Sequence, residues 1–120
     1  NDVSYQFILT AGGVLWDSLI KEGKHDTAWE SGAVVKTYVT DEFWTGEMAI
    51  PLKALDKLPE PLPYANVHWK ANFARCYYME GEDPSSGDGK VNWVEELHAW
   101  VPTLEGGFFN PDKNGIIKFP

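Results

Sequence analysis

Aromatic side chains are the residues of this chain best suited to a binding chemistry. They make up 14% of the 120 residues and include six Trp, which is more than one core needs. The surplus rings must therefore be exposed, buried against a partner or lining a site. Trp29, Trp93 and Phe109 fall in segments that we predict to be exposed loops, so they are candidates for lining a binding site. Packing under a loop is the alternative for each of them.

One arginine lies in an otherwise apolar pattern. Val67–Met79 is the longest run that indicates one uninterrupted strand, and alternate positions place Phe73, Arg75 and Tyr77 on a face predicted to enter the core. A buried arginine needs acceptors for its donors. We expect an ion pair between Arg75 and Glu47, which would make both residues structural.

Two acidic segments are candidates for a calcium site. Calcium takes several oxygen ligands, commonly from loops that carry Asp and Asn. The candidate ligands are Asp83, Asp88, Asp112 and Asn114. The spacing of an EF-hand loop is absent, and an acidic loop is otherwise simply solvated. A structural calcium ion is therefore a candidate cofactor rather than an established one.

The sequence lacks the usual signals of an enzyme. It has no Gly-x-Ser-x-Gly elbow, no His-x-x-x-His pair and no phosphate loop. A glycosidase needs two carboxylates that flank the scissile bond. Glu95, Glu96 and Asp17 could supply them, but 18 acidic residues guarantee some pair by chance. We expect no catalysis in this chain, although an attached glycoside hydrolase would be compatible with it.

Composition narrows the class of partner. The net charge of −8 argues against binding to nucleic acid or to an anionic membrane surface. Cys76 is the only cysteine, so an internal disulfide is impossible. No apolar run is long enough for a transmembrane helix. Hydrophobic residues make up 43% of the chain, which indicates one globular domain over residues 1–120.

The order of elements predicts an all-β protein, an antiparallel β-sandwich. Lys21–Gly32 and the acidic Glu80–Lys90 are predicted loops, and Lys53–Leu58 is a predicted helical turn. The predicted strands are Val3–Thr10, Val14–Ile20, Ala33–Thr40, Phe43–Leu52, Val67–Met79, Leu97–Val101 and Ile116–Phe119. Asp41-Glu42 would turn the chain between the third and fourth of them, which makes a hairpin.

Three segments together resemble the C-terminal portion of family 9 carbohydrate-binding modules. They are Trp44–Leu55, Trp69–Arg75 and Trp100–Phe119. The shared features are a glutamate four residues before proline, an Asn-x-x-Arg strand, a Trp-x-Pro and a closing Pro-x-x-x-Gly. Here these features are Glu47 and Pro51, Asn72 and Arg75, Trp100 and Pro102, and Pro111 and Gly115.

The resemblance implies a partial sandwich, because the N-terminal strands of the family have no counterpart here. We therefore expect a missing N-terminal half or a neighbouring catalytic domain as a partner. Family members stack aromatic rings on the sugar, and the resemblance implies that Phe108 is the second of these rings. The possible substitutes for it are Phe109, Trp93 and Trp29. Ile8 and Thr10 occupy the positions at which sugar-binding relatives have Arg and Asn, and Ala74 occupies the position of a Gln. Relatives also bind structural calcium.

The expected function is non-catalytic carbohydrate binding, in an accessory module of a larger protein that is secreted, on the cell surface or periplasmic. Some relatives of this sandwich bind haem b, so an electron-transfer module is the alternative function. Its iron ligands would be Met48 or Met79 with His68 or His98. A purely structural interdomain sandwich is the third possibility.

Overall fold

The computed structural model describes residues 3–55, 68–82, 91–102 and 111–118. Strands dominate these ranges, and the helical content within them is limited to two short 3-10 turns. All strand pairs within the described ranges are antiparallel. The predicted all-β, antiparallel class is therefore confirmed.

The chain divides into two compact units, Asn1–Glu60 and Pro61–Pro120. The single domain predicted over residues 1–120, and its place in a larger sandwich, stay predictions. The first unit contains a three-stranded sheet in the order β1-β2-β3 and a separate hairpin, β4-β5. Its strands are β1 Val3–Leu9, β2 Leu15–Lys21, β3 Lys24–Asp26, β4 Val34–Val39 and β5 Trp44–Ala49.

The turn between β1 and β2 is fixed by Thr10. Its backbone N–H donates to the Val14 carbonyl at 2.9 Å, and its side-chain Oγ1 accepts from the Val14 N–H at 3.1 Å. Gly13 adopts a positive φ of 81°, which glycine tolerates without a steric penalty. The first two predicted strands are confirmed, because β1 and β2 differ from them by one residue at their ends.

The prediction of a loop over Lys21–Gly32 is wrong for its first part. β3 continues from β2 through a two-residue turn, in which Glu22 has φ 51° and Gly23 has φ 74°. Two successive positive φ values are typical of the type I′ turn that joins tight hairpins. Lys24–Asp26 is fully polar and exposed, so it carries no apolar alternation from which a strand could be predicted.

The predicted hairpin of β4 and β5 is confirmed. Thr40 closes its turn, because its N–H donates to the Phe43 carbonyl at 2.8 Å and its Oγ1 accepts from the Phe43 N–H at 3.0 Å. β5 lies close to β1 at Gly46, where an added Cβ would stand 2.6 Å from Leu9 Cδ2. Glycine at this position therefore lets the hairpin approach the sheet. A 3-10 turn follows at Leu52–Ala54. It overlaps the start of the predicted helical turn Lys53–Leu58, whose second half lies outside the described residues.

Few side chains of the described ranges are fully buried. Ile20 is 1% exposed and Ser18 is 0% exposed, and both lie on β2. Ser18 is satisfied by a hydrogen bond of 3.1 Å between its Oγ and Nδ1 of His25. On the other face of β2, Asp17 Oδ2 accepts from the backbone N–H of Ser31 at 2.9 Å. These hydrogen bonds offset the loss of folding stability that buried polar groups without a partner would cause.

In the second unit, β7 pairs with β8 and β6 pairs with β9. The strands are β6 His68–Ala71, β7 Ala74–Glu82, β8 Val91–Ala99 and β9 Gly115–Lys118. The prediction of one uninterrupted strand over Val67–Met79 is wrong, because the chain leaves one sheet after β6 and enters another at β7. β8 is longer than the predicted Leu97–Val101, and β9 confirms the last predicted strand to within one residue.

Asn72 explains the interruption between β6 and β7. Its Nδ2 donates to the Val101 carbonyl at 3.0 Å, and its Oδ1 accepts from the Val101 N–H at 3.0 Å. An amide side chain that bonds a distant backbone in this way competes with ladder formation at its own position.

Candidate functional site

Two of the predicted sugar-binding residues have structural contacts in the first unit. Trp29 packs against other rings, and Thr10 belongs to the turn between β1 and β2. The Trp29 ring lies 5.3 Å from the Tyr5 ring and 6.2 Å from the Phe7 ring, centroid to centroid. Trp29 is half-buried, and Thr10 is exposed but bonds the Val14 N–H through Oγ1. Their contribution to sugar binding stays a prediction.

The other predicted aromatics lie in the second half of the chain. Trp93 belongs to β8, in register with Glu80, so the prediction that it lies on a loop is wrong. Phe108 and Phe109 lie outside the described residues. The role of all three in stacking on a sugar stays a prediction.

The predicted calcium ligands are only partly described. Asp112 is exposed within the 3-10 turn Pro111–Lys113, and Asn114 follows it, half-buried. Asp83 and Asp88 lie outside the described residues. Within the ranges that the structure describes, no three His, Cys, Asp or Glu residues are grouped as metal ligands. Calcium binding stays a prediction.

Glu47 and Arg75 are both exposed, so the burial that motivated an ion pair between them is absent. Glu47 lies on β5 in register with Lys36 of β4, where opposite charges face each other across the hairpin. Arg75 lies on β7 in the second unit. Their structural assignment stays a prediction.

The possible haem ligands are spread over several strands. Met48 is half-buried on β5 in the first unit, and His98 is exposed on β8 in the second. Met79 belongs to β7 and His68 begins β6. Nothing in these positions favours a haem site, and the haem alternative stays a prediction.

The β7–β8 hairpin presents a group of exposed side chains that the sequence analysis did not assign to a site. Arg75 is in register with His98, and directly opposite residues of an antiparallel pair share a face. The Trp100 N–H donates to the Phe73 carbonyl at 2.7 Å, which continues the pairing beyond the strand ends. We define the hairpin face as Phe73, Arg75, Tyr77, His98 and Trp100.

Side-chain contacts join four residues of the hairpin face in two pairs. The Phe73 and Trp100 rings lie 5.8 Å apart with an interplanar angle of 55°. Cζ of Arg75 lies 5.9 Å from the centroid of the Tyr77 ring, within the range of a cation–π interaction. Phe73 is 63% exposed, Trp100 is 55% exposed and Tyr77 is 51% exposed. Three large rings therefore remain open beside two basic side chains.

One side of the Trp100 ring packs against β9. An added Cβ on Gly115 would lie 2.6 Å from Cζ3 and 2.9 Å from Cη2 of the Trp100 ring. Such a distance requires the absence of a side chain at Gly115. The close approach fixes one surface of the ring while more than half of the side chain stays in solvent. Trp100 is thus a supported, outward-facing platform.

The alternation of Phe73, Arg75 and Tyr77 predicts that they lie on one face of a strand. The prediction that this face enters the core is wrong, because all three side chains are exposed. The period of a strand shows which residues share a face, and burial depends on what packs against that face. Arg75, which needed a partner in a core, needs none in solvent.

Comparisons with known proteins add no further identification. Among the described residues, no helix has the length and apolar character required to cross a membrane. No family model, no curated protein and no solved structure matches this chain.

Proposed function

We propose that this chain is a non-catalytic carbohydrate-binding domain, an accessory part of a larger secreted glycan-active protein. The observation that carries the proposal is the hairpin face, where three open aromatic rings lie beside a guanidinium and an imidazole. Protein sites for sugars combine an apolar platform with a few polar groups that fix orientation. The hairpin face offers both on one surface.

Tyr77 and Arg75 form one half of this surface. The guanidinium restrains the ring through a cation–π contact at 5.9 Å, so less side-chain freedom is lost when a ligand covers the ring. The Arg75 side chain is exposed, and its guanidinium carries five N–H donors. Those donors are available to sugar hydroxyls next to the stacked ring.

Phe73 and Trp100 form the other half. Because their planes meet at 55°, a pyranose can stack on one ring while the second ring contacts its edge. Gly115 lets Trp100 rest against β9, which reduces the mobility of the platform. A preorganised aromatic contact of this kind favours binding because little conformational entropy is lost.

The test is a glycan array probed with the wild-type chain, the Tyr77→Ala variant and the Tyr38→Ala variant. Tyr38 is a matched control, since it is a 65% exposed tyrosine on β4 of the first unit. Half of a tyrosine surface of about 200 Å² is open at Tyr77, and a sugar covers about half of that. At about 25 cal/mol per Å², Tyr77→Ala then costs about 1.3 kcal/mol, or roughly ninefold in Kd.

The control separates the hairpin face from exposed tyrosines in general. Tyr38→Ala should leave the Kd for the glycan unchanged to within about twofold, because Tyr38 is not part of the hairpin face that the sugar covers. A Phe108→Ala variant, tested in parallel, measures how much Phe108 contributes to the affinity for the glycan. Phe108 is the aromatic residue that the family resemblance indicated. The proposal fails if no glycan binds the wild-type chain, or if Tyr77→Ala binds as tightly as Tyr38→Ala.

A further inference from the structure

The three open rings of the hairpin face lie in two separate places. Phe73 and Trp100 lie together at one end, with ring centroids 5.8 Å apart, and Tyr77 lies four residues beyond Phe73 in the sequence. We infer that the ligand of this face is a single polysaccharide chain, bound over several pyranose units, and neither one sugar nor the flat face of a crystalline polysaccharide. This inference rests on the proposed carbohydrate-binding function.

The register of the hairpin places both groups of rings on the same side. Arg75 is in register with His98, and the bond of 2.7 Å from the Trp100 N–H to the Phe73 carbonyl extends that register by one step of two residues. Alternate residues of a strand share a face, and each residue advances a strand by about 3.3 Å. Phe73 and Tyr77 are therefore about 13 Å apart along the hairpin.

That separation is larger than the reach of one sugar ring. Stacked rings have centroids about 4.5–7 Å apart, so a pyranose that covers Tyr77 is out of stacking range of Phe73 and Trp100. If each sugar unit advances the polysaccharide by a similar distance, about three to four units are needed to cover both groups of rings at once. The second contact is then intramolecular, so a longer oligosaccharide binds more tightly than a short one.

The angle between two of the rings argues against a crystalline ligand. The planes of Phe73 and Trp100 meet at 55°, so a flat crystal face that covers one ring meets the other at a steep angle. The hairpin of β7 and β8 is also a two-stranded ribbon, and such ribbons twist more strongly than wide sheets. The two groups of rings are therefore rotated about the hairpin axis, which a dissolved polysaccharide chain can follow and a flat surface cannot.

The experiment measures Kd by calorimetry for ladders of cello-, manno- and malto-oligosaccharides from the monosaccharide to the hexamer. Pull-downs compare the crystalline and the dissolved form of the polysaccharide whose ladder binds, which is cellulose, mannan or starch. The variants are Tyr77→Ala and Tyr77→Phe. Tyr38→Ala is the matched control, because Tyr38 is a 65% exposed tyrosine outside the hairpin face. Circular dichroism checks that each variant folds.

The affinity of the wild-type chain should rise until the oligosaccharide reaches about three to four units and then level off. The surface of Tyr77 that a sugar covers contributes about ninefold to Kd, so Tyr77→Ala should lower the ratio of hexamer to monosaccharide affinity by about fivefold to tenfold. Tyr77→Phe should keep most of that ratio because the ring stays, and Tyr38→Ala should keep all of it. The dissolved polysaccharide should bind more protein than an equal mass of the crystalline form.

The outcomes separate this inference from the proposed function. A Kd that is constant from the monosaccharide to the hexamer, or an equal fractional loss at every length in Tyr77→Ala, overturns the inference and leaves carbohydrate binding intact. Stronger binding to the crystalline form also overturns it. If Tyr77→Ala does not fold, the wild-type ladder decides, since a plateau reached at one or two units opposes the inference and a later plateau supports it. Binding of no saccharide refutes the proposed function, and the inference with it.

Discussion

Replacing Gly115 by alanine tests how the second unit supports its exposed tryptophan. The new Cβ would stand 2.6 Å from Cζ3 of Trp100, 2.9 Å from Cη2 of the same ring and 3.0 Å from Cγ2 of Val101. Carbon atoms in favourable contact are about 3.5 to 4.0 Å apart. The ring therefore has to move by about 1 Å away from β9.

The backbone next to Trp100 cannot easily follow that movement. The Trp100 N–H donates to Phe73 at 2.7 Å, and both backbone polar groups of Val101 are bonded by Asn72 at 3.0 Å. We expect an overpacking cost of about 1–3 kcal/mol in the free energy of unfolding. The displaced ring should also weaken sugar binding at the hairpin face.

The assay is urea denaturation followed by circular dichroism and by tryptophan fluorescence. With a denaturant dependence of about 1 kcal/mol per M for a small unit, the midpoint of Gly115→Ala should fall by about 1 M or more. Gly12→Ala is the neutral control, since its Cβ would meet only Thr10 Oγ1 at 3.8 Å. That variant should stay within about 0.5 kcal/mol of the wild type.

Gly46→Ala provides a second comparison in the first unit. Its Cβ would lie 2.6 Å from Leu9 Cδ2 and 3.2 Å from Cζ3 of Trp44. The contact below 3 Å is therefore with the end of a leucine side chain, which changes rotamer more easily than the Trp100 ring can move. We expect a smaller loss of stability than for Gly115→Ala and unchanged sugar affinity. An unaltered midpoint and emission spectrum for Gly115→Ala would refute the packing of Trp100 against Gly115.

Two further substitutions test local features of the fold. Asn72→Ala removes both hydrogen bonds to Val101 and should cost about 1–3 kcal/mol in a urea titration, whereas Asn72→Asp should restore only the bond that accepts from the Val101 N–H. An unchanged midpoint for Asn72→Ala would show that these bonds do not hold the segment between β6 and β7. Glu22 has φ 51°, and Glu22→Asn should raise the thermal midpoint, with a gain of about 0.5–1 kcal/mol, because asparagine favours the type I′ turn. A lower midpoint for Glu22→Asn would contradict the described turn.

Local sequence signals were sufficient for much of the strand assignment. β1, β2, β4, β5 and β9 follow apolar alternation that ends at turn residues, and both features act within a few residues of the chain. β3 escaped prediction because Lys24–Asp26 is polar throughout. Its presence depends on the turn at Glu22 and on pairing with β2.

The candidate site depended more on tertiary structure. The sequence indicated several aromatic platforms, and one of them, Trp29, packs against Tyr5 and Phe7. It placed Tyr77 in the interior, whereas the structure leaves it exposed beside Arg75. An aromatic side chain serves packing or binding equally well, so its residue type does not distinguish the two roles.

The all-β class, the side chains that alternate along each strand and the position of most turns were predictable from the residues alone, because these properties follow from short-range backbone geometry. The break between β6 and β7 at Asn72, the pairing of β6 with β9 and of β7 with β8, and the exposure of the hairpin face are properties of the folded chain. Strand pairing and burial are contacts between residues distant in sequence, so a local pattern does not specify them. A side-chain pattern defines a face of a strand, and the elements that pack on that face decide whether it becomes core or surface.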